Sequence, residues 1–285
     1  MDQPVVWAMA AMVCYGISDF VYKQAAAASI RPDHFLMAQA WFFCPLVAFY
    51  ALASGTLVAT PAALWGSLAG MFVFIGFYFF LRSLAVGAVS TNASIFRLNF
   101  VVTAALAIAV LGEPLTRLKL LGLALALVAT HLLVGTERDD ARPLDDARRR
   151  SLVQIAIATL AFGASNFFHT VGLRHGALPE TLAVAQAALF APLATAVVYA
   201  ADRKLRPPGV TFRYGAAAAL VLFGATLLML RSVARGQASV LVPIAQMGFI
   251  VAALLGIFVL RERVTLRKAI GLLAALAALA MLAAE

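Results

Sequence analysis

The stretch LRSLAVGAVSTNASIFRLNF at residues 81–100 is repeated as LRSVARGQASVLVPIAQMGF at residues 230–249. Each residue of the first copy has its counterpart 149 positions later, without a gap. The match continues from these stretches to LGEPLT at 111–116 and LRERVT at 260–265. A sequence unit therefore occurs twice in this chain. Identical pairs are Arg82/Arg231, Ser83/Ser232, Gly87/Gly236, Ser90/Ser239, Phe100/Phe249, Glu113/Glu262, Thr116/Thr265 and Gly122/Gly271.

A second matching segment lies upstream. YGISDFVYK at 15–23 resembles FGASNFFHT at 162–170, and here the counterparts are 147 positions apart. The spacing changes in the polar stretches 54–61 and 201–210, where an insertion in a loop costs little. We therefore expect two repeats of one unit, joined by a charged linker. The predicted boundaries are 1–135 for the first repeat, 136–150 for the linker and 151–285 for the second repeat.

The composition is typical of a membrane protein, since 64% of the residues are hydrophobic and only 12% are charged. Polar breaks divide the sequence into ten apolar stretches of roughly 20 residues, enough to cross a hydrocarbon core of ~30 Å. Lipid offers backbone groups no hydrogen-bond partner, so these spans are predicted to be helices. The predicted spans are 4–28, 34–54, 62–84, 89–111, 117–135, 151–173, 180–201, 212–232, 238–260 and 265–283.

Five spans per repeat is an odd number, so the second repeat has to enter the membrane from the opposite side. The predicted fold is therefore an all-α membrane protein with ten transmembrane helices in two inverted five-helix repeats. Such repeats are related by an axis in the membrane plane, and their binding site lies near mid-depth at the interface between them. We call the side that holds both termini face A and the opposite side face B.

The basic residues are distributed unevenly between the two faces. Most of the 22 lysines and arginines fall on face B. The positive-inside rule then predicts a cytoplasmic face B and external termini. The net charge of +9 indicates a basic surface next to anionic lipid, whereas basic residues dispersed over short loops do not indicate a nucleic-acid interface. We predict a multi-pass protein of the cell inner (plasma) membrane.

Positions where the repeats differ in charge are the best candidates for substrate contacts, because symmetric positions usually serve the scaffold. Asp19 corresponds to Asn166, and Arg97 corresponds to Gln246. An ionisable group at membrane depth costs ~2.5–3.5 kcal/mol and needs a partner or an aqueous cavity. Helix rise places Asp19 and Arg97 roughly 12–14 Å below face B, so they are expected to pair or to flank one ligand. The candidate substrate-binding residues are Asp19, Tyr22, Lys23, Gln39, Arg97, Asn99, Asn166, His169, Gln186 and Gln246.

The fourth span of each repeat closes with a glutamate, Glu113 in LGEPLT and Glu262 in LRERVT. A carboxylate at this place can accept hydrogen bonds from the N–H groups that open the next helix. Gly122 and Gly271 follow these turns and are expected to allow close helix contact. The candidate structural residues of the helix turns are Glu113, Glu262, Arg82 and Arg231.

These motifs resemble those of the drug/metabolite transporter superfamily, in particular its EamA-type members. The resemblance covers the whole chain and includes the YG and FG pairs, the Arg-Ser turns and the glutamate turns. It implies a secondary transporter whose aromatic residues partly line a central cavity. The family usually places its termini in the cytoplasm, which is opposite to the orientation that the charges predict.

No catalytic constellation, phosphate loop or metal-ligand spacing is visible in the sequence. We therefore predict that the protein is not an enzyme and has neither cofactor nor metal. The leading hypothesis is a transporter that exports or exchanges a small amphipathic, charged or zwitterionic metabolite, such as an amino acid, by alternating access. The alternatives are a flippase for a lipid or lipid-linked molecule and, from another class, a membrane scaffold or intramembrane enzyme. The expected partners are the substrate and membrane lipids, with proton coupling and a monomeric or homodimeric state left open.

Overall fold

The structure is a computed structural model that describes residues 2–84, 92, 95–134, 146–205, 207–259 and 265–285. The described part is built from α-helices and a single turn of 3-10 helix, Pro61–Ala63, and it contains no strand. The helices are α1 (Gln3–Ala27), α2 (Pro32–Ala53), α3 (Leu64–Leu84), α4 (Asn99–Leu111), α5 (Arg117–Val134), α6 (Asp146–Arg174), α7 (Pro179–Asp202), α8 (Gly209–Val233), α9 (Ala238–Gln246), α10 (Phe249–Phe258) and α11 (Leu266–Ala283).

Within the described residues, eight helical segments are long and apolar enough to cross a membrane, and a shorter apolar helix runs from Ile95 to Leu111. The predicted all-α membrane fold is therefore confirmed. α1, α2 and α7 each begin with a proline in the first turn, where the missing N–H would have no helical partner in any case. α6 begins at Asp146, ahead of its predicted start at 151, and so includes the end of the predicted linker.

The two repeats are interlocked. α1 packs against α8, α9 and α10 of the second repeat, and its counterpart α6 packs against α3 and α4 of the first. α5 lies along α11, and α2 lies along both α7 and α8. The core of the molecule is therefore formed mainly between the repeats. Which face is cytoplasmic stays a prediction.

Two glycines at equivalent positions, Gly16 and Gly163, mark the crossing points of this interlocked core. A Cβ atom added to either glycine would lie 2.5 Å from a valine Cβ of the other repeat. It would also lie within 2.7 Å of a backbone carbonyl oxygen. The four contacting residues are themselves counterparts in the repeat, as an inverted two-fold relation requires. The contacts are Gly16 with Gly248 and Val251, and Gly163 with Asn99 and Val102.

The close helix contact predicted at Gly122 and Gly271 is confirmed. A Cβ on Gly122 would lie 2.8 Å from Cγ of Leu282, and a Cβ on Gly271 would lie 2.8 Å from Cγ of Leu133. These leucines are again counterparts in the two repeats. α5 and α11 therefore run antiparallel and approach each other at both glycines.

Gly16→Ala is expected to destabilise the protein by about 1–3 kcal/mol, because the added methyl group overpacks a helix crossing bounded by a backbone carbonyl. Gly163→Ala should have a similar effect. Gly224→Ala is the matched control, since its Cβ would lie 3.8 Å from the nearest atom, in ordinary contact with Cys14. Thermal unfolding of the purified variants in detergent measures the difference. A Gly16→Ala variant as stable as Gly224→Ala would contradict the close crossing.

The fourth and ninth spans, predicted at 89–111 and 238–260, are present as apolar helical segments from Ile95 to Leu111 and from Ala238 to Leu255, but each contains a break that was not predicted. The ninth span breaks between α9 and α10, and the helix ahead of α4 is interrupted at Leu98. At each break the backbone tightens to bonds between residues three apart. Apolar patterning does not show such breaks, which membrane helices tolerate when other protein segments bury them. The equivalent bonds are Leu98 N to Ile95 O (3.0 Å) and Met247 N to Ile244 O (3.1 Å), and Val101 N to Leu98 O and Ile250 N to Met247 O (both 2.9 Å).

Candidate functional site

Asp19 and Arg97 form an ion pair within the membrane-spanning part of the protein. Nη2 of Arg97, at the break before α4, donates to Oδ2 of Asp19 on α1. Their side chains are 20% and 22% exposed. The structure thus brings together the two charges that were predicted at matched depth. Such a pair compensates two charges that would each be costly alone in the membrane.

Of the other candidate residues of the first repeat, Tyr22 lies beside this pair, close to both Asp19 and Arg97. Its polar neighbours are Ser18 and Gln39. Gln39 is buried, and its Oε1 atom accepts no hydrogen bond from the described residues. Lys23 is exposed near the end of α1. Asn99 is buried, and its Nδ2 donates to the carbonyl of Phe96 at 2.8 Å.

The counterpart residues lie on α6, α7 and α9. Asn166, His169 and Gln246 are all buried. His169 lies beside Gln186, but neither of its ring nitrogens makes a well-formed hydrogen bond to the described residues. Asn166 lies about two turns before the face-A end of α6, just as Asp19 lies about two turns before the face-B end of α1. The charged set therefore lies nearer face B and the neutral set nearer face A.

Buried polar atoms that lack a hydrogen-bond partner are concentrated in these two sets. Such atoms are rare in proteins and require water, a ligand or strain to account for them. Sequence reasoning missed Ser18 and Ser165, although they are counterparts that directly precede Asp19 and Asn166. The described part of the chain thus has a polar interior suited to a polar solute. The atoms are Ser18 Oγ, Gln39 Oε1, Asn99 Oδ1, Ser165 Oγ, Asn166 Nδ2, and Nδ1 and Nε2 of His169.

An aromatic cluster forms a wall next to Arg97. Phe96 stacks on Phe80, with ring centroids 4.4 Å apart, and meets Phe162 edge to face at 5.1 Å. Phe77 packs on Phe162 at 5.3 Å. The cluster joins α3, the break before α4 and α6. It therefore connects the two repeats beside the ion pair.

A groove lies at the face-B end of the molecule, between the end of α1, the start of α2 and the end of α3. Its volume is about 150 Å³, and almost all its lining is apolar. Tyr22, which neighbours the ion pair, is one of the lining residues. The charged set is therefore adjacent to an apolar groove at the face-B end of the helices. The lining residues are Tyr22, Ala25, Ala26, Ile30, Pro32, Phe35, Leu36, Phe77, Phe80 and Leu81.

At face A, Glu113 ties the repeats together. Gly112 ends α4 in the left-handed region, at φ 69°, and the chain turns there. The buried Glu113 carboxylate then accepts from the backbone N–H groups of Ala238 (3.0 Å) and Ser239 (2.8 Å), which open α9. It also pairs with Arg174 at 2.8 Å.

The helix that Glu113 caps differs from the expected one. The prediction was the next helix along the chain, α5, but the recipient is α9 of the other repeat. Inverted repeats place the end of the fourth span beside the start of the ninth. These two segments are far apart in the sequence, so the contact could not be predicted from neighbouring positions along the chain. Glu262 lies outside the described residues.

Arg231 and Arg82, the arginines of the helix turns, have different surroundings. Arg231 Nη2 donates to the buried Glu180 at 2.5 Å and to the Tyr50 hydroxyl at 2.8 Å, which connects α8 to α7 and α2 at face A. Arg82 is exposed, with its guanidinium carbon 5.2 Å from the ring centroid of Tyr78. The ionic contacts at face A thus involve buried carboxylates, whereas at face B the exposed Arg31, at the start of α2, pairs with Asp202 at the end of α7 (2.9 Å).

Comparisons with known proteins agree with this architecture. A solved structure described as "Crystal structure of protein" superposes with a TM-score of 0.78, covering 98% of this chain and 95% of that one at 15% sequence identity. At this identity the likeness shows the fold alone. No curated protein matches the chain. The model of the EamA-like transporter family matches residues 3–135 and 149–284. Both repeats are covered, and the chain therefore belongs to the EamA-like transporter family, in the drug/metabolite transporter superfamily.

Proposed function

We propose that the protein is a secondary transporter that moves a small zwitterionic, amphipathic metabolite, such as an amino acid, through a central cavity by alternating access. Membership of the family indicates a transporter. The observation that supports a zwitterionic substrate is the ion pair between Asp19 and Arg97 in the membrane interior. Both charges belong to the first repeat, and neutral amides replace them in the second.

A zwitterion suits this pair because it can replace the internal bond with two external ones. A substrate carboxylate binds the planar guanidinium of Arg97, and a substrate ammonium binds the carboxylate of Asp19. The four charges then compensate one another, so no unpaired charge is left in the low-dielectric interior. A substrate with a single charge would leave either Asp19 or Arg97 without a partner.

Alternating access is supported by the asymmetry between the faces. The groove lies at face B, where the exposed Arg31 of the first repeat pairs with Asp202 of the second. At face A the repeats are connected by the buried carboxylate of Glu113 and by the hydrogen bond from Arg231 to Tyr50. Inverted repeats allow the reverse arrangement, since each half can adopt the conformation of the other. The distribution of basic residues predicts that face B lies in the cytoplasm, with the protein in the inner membrane of the cell. In that orientation the groove takes up substrate from the cytoplasm, and the direction of transport is export.

Counterflow into liposomes that contain the purified protein tests the substrate class. Each of several α-amino acids is compared with its deaminated acid and its decarboxylated amine, so that the side chain stays constant while one charge is lost. We expect saturable exchange of at least one zwitterion and at least tenfold slower exchange of its two analogues. Equal exchange of a zwitterion and its singly charged analogues would contradict the proposal.

A further inference from the structure

We infer that the groove at face B binds the apolar tail of the substrate while Asp19 and Arg97 bind its charged head. This inference rests on the function proposed above and extends it to the size and polarity of the substrate. The groove and the ion pair are parts of one site because they share walls, as the following contacts show.

The first shared wall is α1. Asp19, Tyr22 and Ala26 are three and four residues apart and therefore lie along one face of the helix. Helix rise places Ala26 about 10 Å from Asp19 toward face B. Tyr22, between them, lines the groove and also lies close to the ion pair. A ligand bound at Asp19 can therefore extend along α1 into the groove.

The second shared wall comes from α3 and the break before α4. Phe80 lines the groove and stacks on Phe96 at 4.4 Å. Phe96 directly precedes Arg97, so the ring of Phe80 connects the groove to the guanidinium side of the ion pair. Neither charged residue lines the groove itself, but only Tyr22 on one side and the Phe80–Phe96 stack on the other separate the ion pair from it.

The volume of the groove limits the tail. An engineered apolar cavity of about 150 Å³ holds one benzene molecule, and this groove has the same volume. The tail is therefore a single ring or an alkyl group of about six carbons. A larger tail would have to displace Phe35, Leu36 or Phe77 or extend beyond the groove.

The position of the charges favours a substrate tail over a lipid chain. A membrane lipid has its head group at the interface, so an acyl chain in the groove would place its terminal methyl group against Asp19 and Arg97. An amphipathic zwitterion that enters from face B has the opposite polarity, with its head at the charges and its tail in the apolar groove. This arrangement buries apolar surface and pairs every charge.

Binding of α-amino acids with unbranched side chains of one to eight carbons to the protein in nanodiscs tests the inference. We expect the affinity to rise about fourfold per methylene, which corresponds to ~0.8 kcal/mol per buried CH₂, and to stop rising near six carbons. Ala26→Phe should fill the groove and weaken binding of the six-carbon side chain at least tenfold, with alanine binding unchanged. Ala27→Phe changes the adjacent exposed alanine, which does not line the groove, and should resemble wild type.

Leu36→Ala provides a second variant that enlarges the groove, and we expect it to extend the rise in affinity to longer side chains. If the affinity did not depend on side-chain length in wild type or in either groove variant, the inference would be overturned. A lipid chain would then remain as the occupant of the groove. The proposed function would still stand if Arg97→Gln abolished binding of alanine. Failure of every amino acid to bind wild type would overturn the zwitterion proposal and this inference together.

Discussion

Arg97→Gln is expected to abolish transport while the protein still folds. The second repeat already carries glutamine at the equivalent position, Gln246, and buries it, so the scaffold accommodates a neutral amide there. The variant loses the group that pairs with Asp19 and, in the proposed function, with the substrate carboxylate. Asp19→Asn, which introduces the amide that the second repeat carries at Asn166, should likewise lose transport. Counterflow in liposomes is measured, with the melting temperature of each variant recorded beside it.

The double variant Asp19→Asn/Arg97→Gln separates a binding role from a purely structural one. Removal of one member of a buried ion pair costs about 3–5 kcal/mol because the other charge stays unpaired, whereas removal of both is much milder. We expect the double variant to melt at a higher temperature than either single variant and still not to transport. Transport at the wild-type rate in the double variant would show that these charges are not the substrate site.

Glu113→Ala is expected to destabilise the protein by about 2–5 kcal/mol, because two buried backbone N–H groups lose their acceptor at about 1–3 kcal/mol each. The truncation leaves Arg174 without its carboxylate partner and the N–H groups of Ala238 and Ser239 without an acceptor at the start of α9. A buried donor without an acceptor adds its own desolvation cost. Thermal unfolding in detergent measures the loss.

Glu285→Ala is the control for Glu113→Ala. Glu285 is an exposed carboxylate that accepts a hydrogen bond from Thr116, so its removal should change the melting temperature little. Glu113→Gln keeps one acceptor oxygen, so its melting temperature should lie between those of Glu113→Ala and Glu285→Ala. If Glu113→Ala and Glu285→Ala had the same melting temperature, the hydrogen bonds from α9 to Glu113 would not stabilise the protein.

The repeat itself allowed several features to be predicted from sequence. Counting the spans gave the inverted arrangement, and comparing the two copies identified Asp19 and Arg97 through the charges that one repeat alone carries. Their matched depth then predicted that the two charges would either pair or flank one ligand, and the structure shows the pair. Gly122 and Gly271 were also found as equivalent small residues. Each of these inferences used only spacing along the chain and regular helix geometry.

Other features depended on three-dimensional packing and could not be predicted in this way. The breaks at Leu98 and Met247 directly follow Arg97 and Gln246, inside stretches that are apolar on both sides, so hydropathy alone does not locate them. The recipient of the Glu113 hydrogen bonds is distant in sequence. The groove depends on how the side chains of Phe35, Phe77 and their neighbours leave space between three helices, which no residue pattern encodes.

The interlocked packing of the two repeats has a consequence for the assembly of the protein in the membrane. The surfaces by which α1 to α5 pack are complementary to α6 to α11 rather than to one another. During synthesis the first half therefore remains in the lipid with these surfaces uncovered until the second half has been inserted. The same dependence constrains the origin of the fold. A single five-helix unit would acquire a core only by packing against a copy inserted in the opposite orientation. Two separate chains would therefore have formed this pair first, and gene fusion would then have joined them into one chain.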